Sequence, residues 1–150
     1  MDKMPEILDY INRKCVNYFE IGDYIFVHGW IPCKESYFDR NLACNRMLYI
    51  EDWRNALPGA WYSARWQNGM EAWHQGVIEP NKTIFCGHLH CSYGWSWLRQ
   101  ERKEFPNKGT KDWEKSFEPF IDDGIIALDA CTAYSGIVNM VVLEESYVTY

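Results

Sequence analysis

The residues best placed by type and spacing to do chemistry are two histidines one residue apart, in Cys86-Gly87-His88-Leu89-His90-Cys91. Imidazole nitrogen suits zinc, iron, manganese and nickel. A third imidazole, His28, lies far away in sequence but in similar surroundings, Tyr24-Ile25-Phe26-Val27-His28-Gly29. Together His28, His88 and His90 are a candidate ligand set for one divalent cation, with open positions left for water. Cys86 and Cys91 flank the pair and offer an alternative, a non-enzymatic metal-binding module of Cys86, His88, His90 and Cys91. Their tight spacing lacks the paired gaps and intervening loop of structural zinc sites, which makes this the less favoured reading. The remaining histidine, His74, is read as structural or exposed.

Both histidine motifs need a rigid support. Thr83-Ile84-Phe85 is β-branched and aromatic and reads as a buried strand that stops at Gly87, where the backbone can turn sharply. Tyr24 to Val27 is a continuous apolar run and reads as a strand covered on both faces. In an α/β sheet, ligands gather at the carboxyl ends of strands, and here two strands each end in a histidine beside a glycine. Arg65 is a further candidate. It sits among Trp61, Tyr62 and Trp66, which can hold a guanidinium beside a cleft where it would grip an oxyanion.

The chain has 150 residues, enough for one domain with a core. Its apolar fraction of 47% and charged fraction of 24% are ordinary for a globular protein. A net charge of −6 disfavours a protein that tracks nucleic acid phosphates. No apolar run is long enough to span a membrane, and the N-terminus lacks the apolar core of a signal peptide. The irregularly spaced cysteines then read as reduced thiols in a cytoplasmic protein rather than a disulfide framework.

Along the chain, Pro5 opens a helix with Ile7, Leu8, Ile11 and Cys15 on one face, a face that needs something to pack on. From Ser36 to Gln75 the pattern reads as mostly helical and irregular. It includes a short helix over Glu51–Ala56, ended by Pro58-Gly59, and a longer one over Ala60–Gln75. Trp66, Met70 and Trp73 fall at helical spacing and read as core. Ser92 to Trp95 reads as a loop, Trp97 to Lys103 as a helix, and Lys103 to Lys115 as a solvated surface segment. Pro119 to Gly124 reads as a turn whose Asp122 and Asp123 are solvated. Strands are expected over Ile125–Asp129 and over Ile137–Leu143, forming a terminal hairpin-type pair around a Ser135-Gly136 turn.

The order of these motifs resembles the second half of the calcineurin-like metallophosphoesterase superfamily, closest to its bacterial and phage Ser/Thr protein phosphatase-like branch. The likeness runs from about Pro5 onward. It rests on Phe-Val-His28-Gly, a Trp/Arg segment, Gly87-His88-Leu-His90, and Ile-Ala-Leu-Asp129 leading to Tyr-Ser-Gly136. It implies an α/β (α+β) fold, the C-terminal part of an αββα two-sheet sandwich with a mixed sheet and flanking helices. His28 and His88 would bind the second metal of that family and His90 the first, while Arg65 would contact substrate phosphate. The ions would be divalent manganese, iron, zinc or nickel. Trp30 stands where many relatives have a second glycine.

The chain contains no Asp-x-His, Gly-Asp-x-x-Asp or Gly-Asn-His. Those motifs supply the family's bridging aspartate and the leaving-group acid. The resemblance therefore implies a single partial domain over residues 1–150, holding at most one ion and inactive or weak alone. Its expected partners are a phosphorylated substrate and either a complementing N-terminal half or another copy of itself. An apolar sheet face left open by the missing half would favour such association. A third reading is an interaction protein without metal, its aromatics forming a partner surface.

Overall fold

The computed structural model describes residues 4–39, 44–95 and 108–143. Those residues form a mixed α+β fold around a five-stranded sheet of order β1-β2-β5-β7-β6. β1 (Tyr18–Ile21) and β2 (Tyr24–Val27) form an antiparallel hairpin. β2 then pairs in parallel with β5 (Thr83–Cys86), and β5 in parallel with β7 (Ile125–Ala127). β6 (Phe120–Asp122) pairs antiparallel with β7. A separate antiparallel pair joins β3 (Cys33–Asp39) to β4 (Cys44–Tyr49). The helices are α1 (Met4–Lys14), α2 (Pro58–Arg65), α3 (Gly69–His74), α4 (Lys111–Lys115) and α5 (Thr132–Ser135).

Alternation along the strands divides the sheet into two unequal faces. Ile25, Ile84 and Ile125 lie in register on one face, all fully buried. They join Trp30, Trp53, Trp61, Met70 and Val77 in the main core. The other face carries Phe19, Phe26, Phe85, Ile126 and Ile121, also in register across all five strands. None of these belongs to the main core cluster. Tyr24 to Val27 are nonetheless buried or half-buried on both faces, as expected, and Phe85 beside Phe26 is only 4% exposed; the second face is exposed at its edges, at Phe19, Ile21 and Ile121.

Several local expectations are corrected. Ser36–Gln75 opens with the β3–β4 hairpin rather than helix. Glu51–Ala56 contains only a 3-10 turn, Trp53–Asn55. Pro58 opens α2 instead of ending a helix, because its missing N–H costs nothing at the first helical position. The helix expected over Ala60–Gln75 is two helices. Asn68 interrupts it by capping α3, its side chain accepting a hydrogen bond from the Glu71 backbone N–H. The backbone at 92–95 is helical, not a loop. The helix expected over Trp97–Lys103 lies outside the described residues. Within the stretch expected to be solvated, α4 buries Trp113 against Phe117 and Ala130.

The terminal hairpin is shifted as well. It is made of β6 and β7, with Phe120–Asp122 a strand where a turn was expected. Residues 137–143 form no strand. The Asn139 side-chain amide instead donates to the Phe117 and Leu128 carbonyls at 2.7 and 3.1 Å, so a side chain ties the segment down. Gly136 does make the expected turn, in left-handed conformation after α5.

Candidate functional site

The carboxyl ends of β2 and β5 lie side by side because the strands are parallel and in register. The Gly87 N–H donates to the His28 carbonyl at 2.8 Å, carrying the ladder one step beyond the strands. His28 and His88 therefore emerge together, their ring centroids 5.3 Å apart. A nitrogen ~2.1 Å from an ion puts its ring centroid ~3.2 Å from that ion, and tetrahedral geometry then separates two such centroids by ~5.2 Å. The spacing thus fits two imidazoles on one cation. Neither ring has a hydrogen bond or ion pair among the described residues.

The sharp turn after β5 is not made as expected. The left-handed residue is His88, with φ 63°, and not Gly87. A non-glycine residue there carries backbone strain of about 1 kcal/mol. That strain is borne by one of the two paired histidines.

Two glycines let the helical layer approach this end of the sheet. A Cβ on Gly29 would stand 2.5 Å from the Ala64 and Arg65 carbonyl oxygens. A Cβ on Gly69 would stand 2.6 Å from the Trp30 ring and 2.9 Å from Cys86 Sγ. The Trp30 N–H also donates to the Ala64 carbonyl at 2.9 Å. The end of α2 is thereby held against the His28-Gly29 turn, which sets Arg65 and Trp66 beside the histidines. The Trp66 ring lies edge-on to both imidazoles, 5.9 Å from His28 and 5.3 Å from His88. Expected in the core, Trp66 is instead 54% exposed.

Beside His28 opens a cleft of about 500 Å³, lined by Ile11, Asn17, Trp30, Trp61 and Arg65 among others. Trp30 is fully buried and donates its indole N–H to the Val77 carbonyl, so it forms a fixed wall. The Arg65 guanidinium donates to Asn17 Oδ1 at 3.2 Å and is otherwise exposed. Asn17 carried no signal in the sequence. It reaches the cleft only because β1 pairs with β2.

His90 does not join the pair. Its Nδ1 is in short contact with Ser92 Oγ, and its ring lies 6.1 Å from Phe117. Ser92, two residues on and fully buried, is a partner that a search for local hydrogen bonds would have found. Cys86 and Cys91 point into the core. Burial pushes both thiols up, Cys91 to about 11, and Cys91 donates to the Ala127 carbonyl. Buried, protonated thiols are poor ligands. Among the described residues no group of three or more His, Cys, Asp or Glu side chains is arranged to hold a metal ion. The described residues therefore bring two imidazoles together without a third protein ligand, one short of the three in a catalytic metal site. Asp129 is turned to local work, its carboxylate accepting from the Cys131 N–H. His74 is exposed, as expected.

No helix among the described residues is long and apolar enough to cross a membrane. No family model, no curated protein and no solved structure matches the chain.

Proposed function

We propose that this chain is the histidine-bearing part of a metal-dependent phosphoesterase, of the calcineurin-like kind, acting on phosphate monoesters. In this reading the described helices and sheet belong to one half of an αββα sandwich. The observation that carries it is the pairing of His28 and His88 at the ends of two parallel strands, beside a cleft that also holds Arg65. His28 and His88 would hold one divalent ion, whether manganese, iron, zinc or nickel. When bound, such an ion lowers the pKa of a coordinated water and polarises a phosphoryl oxygen.

The chain's own residues would do the rest. Arg65 is free to exchange Asn17 for phosphate oxygens and to offset their charge. The Trp30 and Trp61 walls exclude water from one side of the cleft. His90 would need to leave Ser92 to become a ligand. Carboxylate donors would have to come from a complementing polypeptide, so the chain alone is weak or inactive. A reducing, cytoplasmic setting agrees with Cys15, Cys33, Cys86, Cys91 and Cys131, all free thiols.

The test is titration of the purified chain with Mn²⁺ and Zn²⁺ by calorimetry, followed by hydrolysis of p-nitrophenyl phosphate. One ion per chain is expected, its binding lost in His28→Ala and His88→Ala and kept in His74→Ala. Binding that survives both substitutions would sink the proposal.

A further inference from the structure

The cleft beside His28 is built to do more than hold a phosphate. Its polar side chains gather together: Arg65 donates to Asn17, and the Arg65 carbonyl is held against the His28-Gly29 turn. The rest of the lining is apolar. It comprises Ile11 of α1, Cys15 and Val16 just after that helix, and the buried Trp30 and Trp61. The Trp30 indole N–H is already spent on the Val77 carbonyl, so that wall offers no donor.

The charge is one-sided as well. Among the described residues no acidic side chain lines the cleft. The net charge of the chain is −6, and Arg13 and Arg54 both meet carboxylates. Arg65 meets none among the described residues, its one hydrogen bond being to Asn17. A guanidinium without a counter-charge, set beside an apolar wall, suits an anion joined to an apolar body. Neither part is enough by itself: a bare anion leaves the wall wet, and a bare hydrocarbon leaves Arg65 unpaired.

Size and exposure agree with this. The cleft measures about 500 Å³, inside the ~300–1,000 Å³ of small-molecule sites. Ile11 is 44% and Val16 72% exposed, so a ligand's apolar part has surface to cover there. A sugar or nucleoside would set hydroxyls and ring nitrogens against Ile11, Val16 and Trp30. Those groups would lose water without gaining partners.

We infer that the cleft selects small phosphate monoesters whose alcohol part is apolar, the phosphate on Arg65 and the apolar part over Ile11 and Val16. Sugar phosphates and nucleotides are disfavoured. The inference deepens the phosphoesterase reading and rests on it for the choice of phosphate as the anion.

Ligand-observed NMR titration of the full chain with phenyl phosphate and with glycerol phosphate tests it. Burying half of a phenyl ring should make phenyl phosphate bind about tenfold tighter. Arg65→Met should weaken both esters about tenfold or more. An Ile11→Gln, Val16→Thr double variant should bring the preference down to about twofold. All three side chains are exposed, so the circular dichroism spectrum should not change. Equal binding of the two esters would overturn the inference, as would a preference that survives the double variant, or no binding of either ester. Titrations in EDTA and again with Mn²⁺ separate this from the metal reading. A chain that takes up no ion yet prefers phenyl phosphate would retire the metal and support the selectivity. A chain that binds Mn²⁺ and holds both esters equally would do the reverse.

Discussion

Two polar clusters flank the core, and they are built in opposite ways. Around Glu79 every group has a partner. Its carboxylate accepts from the Tyr49 hydroxyl, the Trp53 indole and the Arg54 guanidinium, each at 2.7 Å. Arg54 turns its other nitrogens to Glu20 and stacks on the Trp53 ring at 4.2 Å. Among the described residues the His28 and His88 rings have no hydrogen bond, and their aromatic contacts are with each other and with Trp66. A saturated cluster holds a fold together. The His28–His88 cluster, with its backbone strain at His88, does not hold the fold in this way, which is why it is the one proposed above to take a ligand.

The sharpest way to break this contrast is Glu79→Ala. It would leave three donors with no acceptor in a half-buried setting, and should cost about 3 kcal/mol in urea unfolding. The matching change at the other cluster, His28→Ala, should leave the urea midpoint nearly unmoved. It should abolish one-to-one divalent-cation binding by calorimetry, because one of two ligands is gone. Equal stability losses for the two substitutions would erase the distinction.

Acid offers a milder version of the first test. Hydrogen bonds from Arg54 hold the Glu20 carboxyl below its usual 4.5. Burial alone would raise Glu79, but donors from Tyr49, Trp53 and Arg54 outweigh it and keep that carboxyl low as well. Both folded-state values are depressed, so their contribution is complete above pH 4.5 and is lost as the pH falls through the folded values. Thermal midpoints followed from neutral to acidic pH should show this fall, and it should be absent in a Glu79→Gln, Glu20→Gln double variant. The smallest expected effect is that of His88→Gly. Relief of the left-handed strain should raise stability by up to about 1 kcal/mol while abolishing ion binding. A destabilised variant would mean that His88 is held for packing.

What the sequence made legible was the strong, local signal. Tyr24–Val27 and Thr83–Phe85 are strands where their apolar runs put them. The histidine after each strand lies where parallel pairing requires, so the meeting of His28 and His88 could be read before any coordinates. The breaks were harder to see. Asn68 looks like one polar residue in a helical pattern until its capping bond to Glu71 is known. The β3–β4 hairpin was hidden because its strands are polar and lack alternation. Val138 and Val142 have strand propensity but pair with no strand among the described residues, and propensity alone makes no ladder. His90 misled for a simpler reason: proximity in sequence to His88 does not point two rings the same way, and Ser92 claims one of them.

The register of Phe26 with Phe85 also has a bearing on kinetics. It joins segments separated by the whole β3–α3 excursion, so this pairing closes a long loop and belongs among the slower steps of folding. Two imidazoles that meet only across that pairing do not exist as a pair in the unfolded chain. A bound cation is therefore expected to leave the refolding rate alone and to slow unfolding. Stopped-flow chevrons recorded with and without Mn²⁺ should differ in the unfolding limb only; a faster refolding limb would show that the histidines come together early.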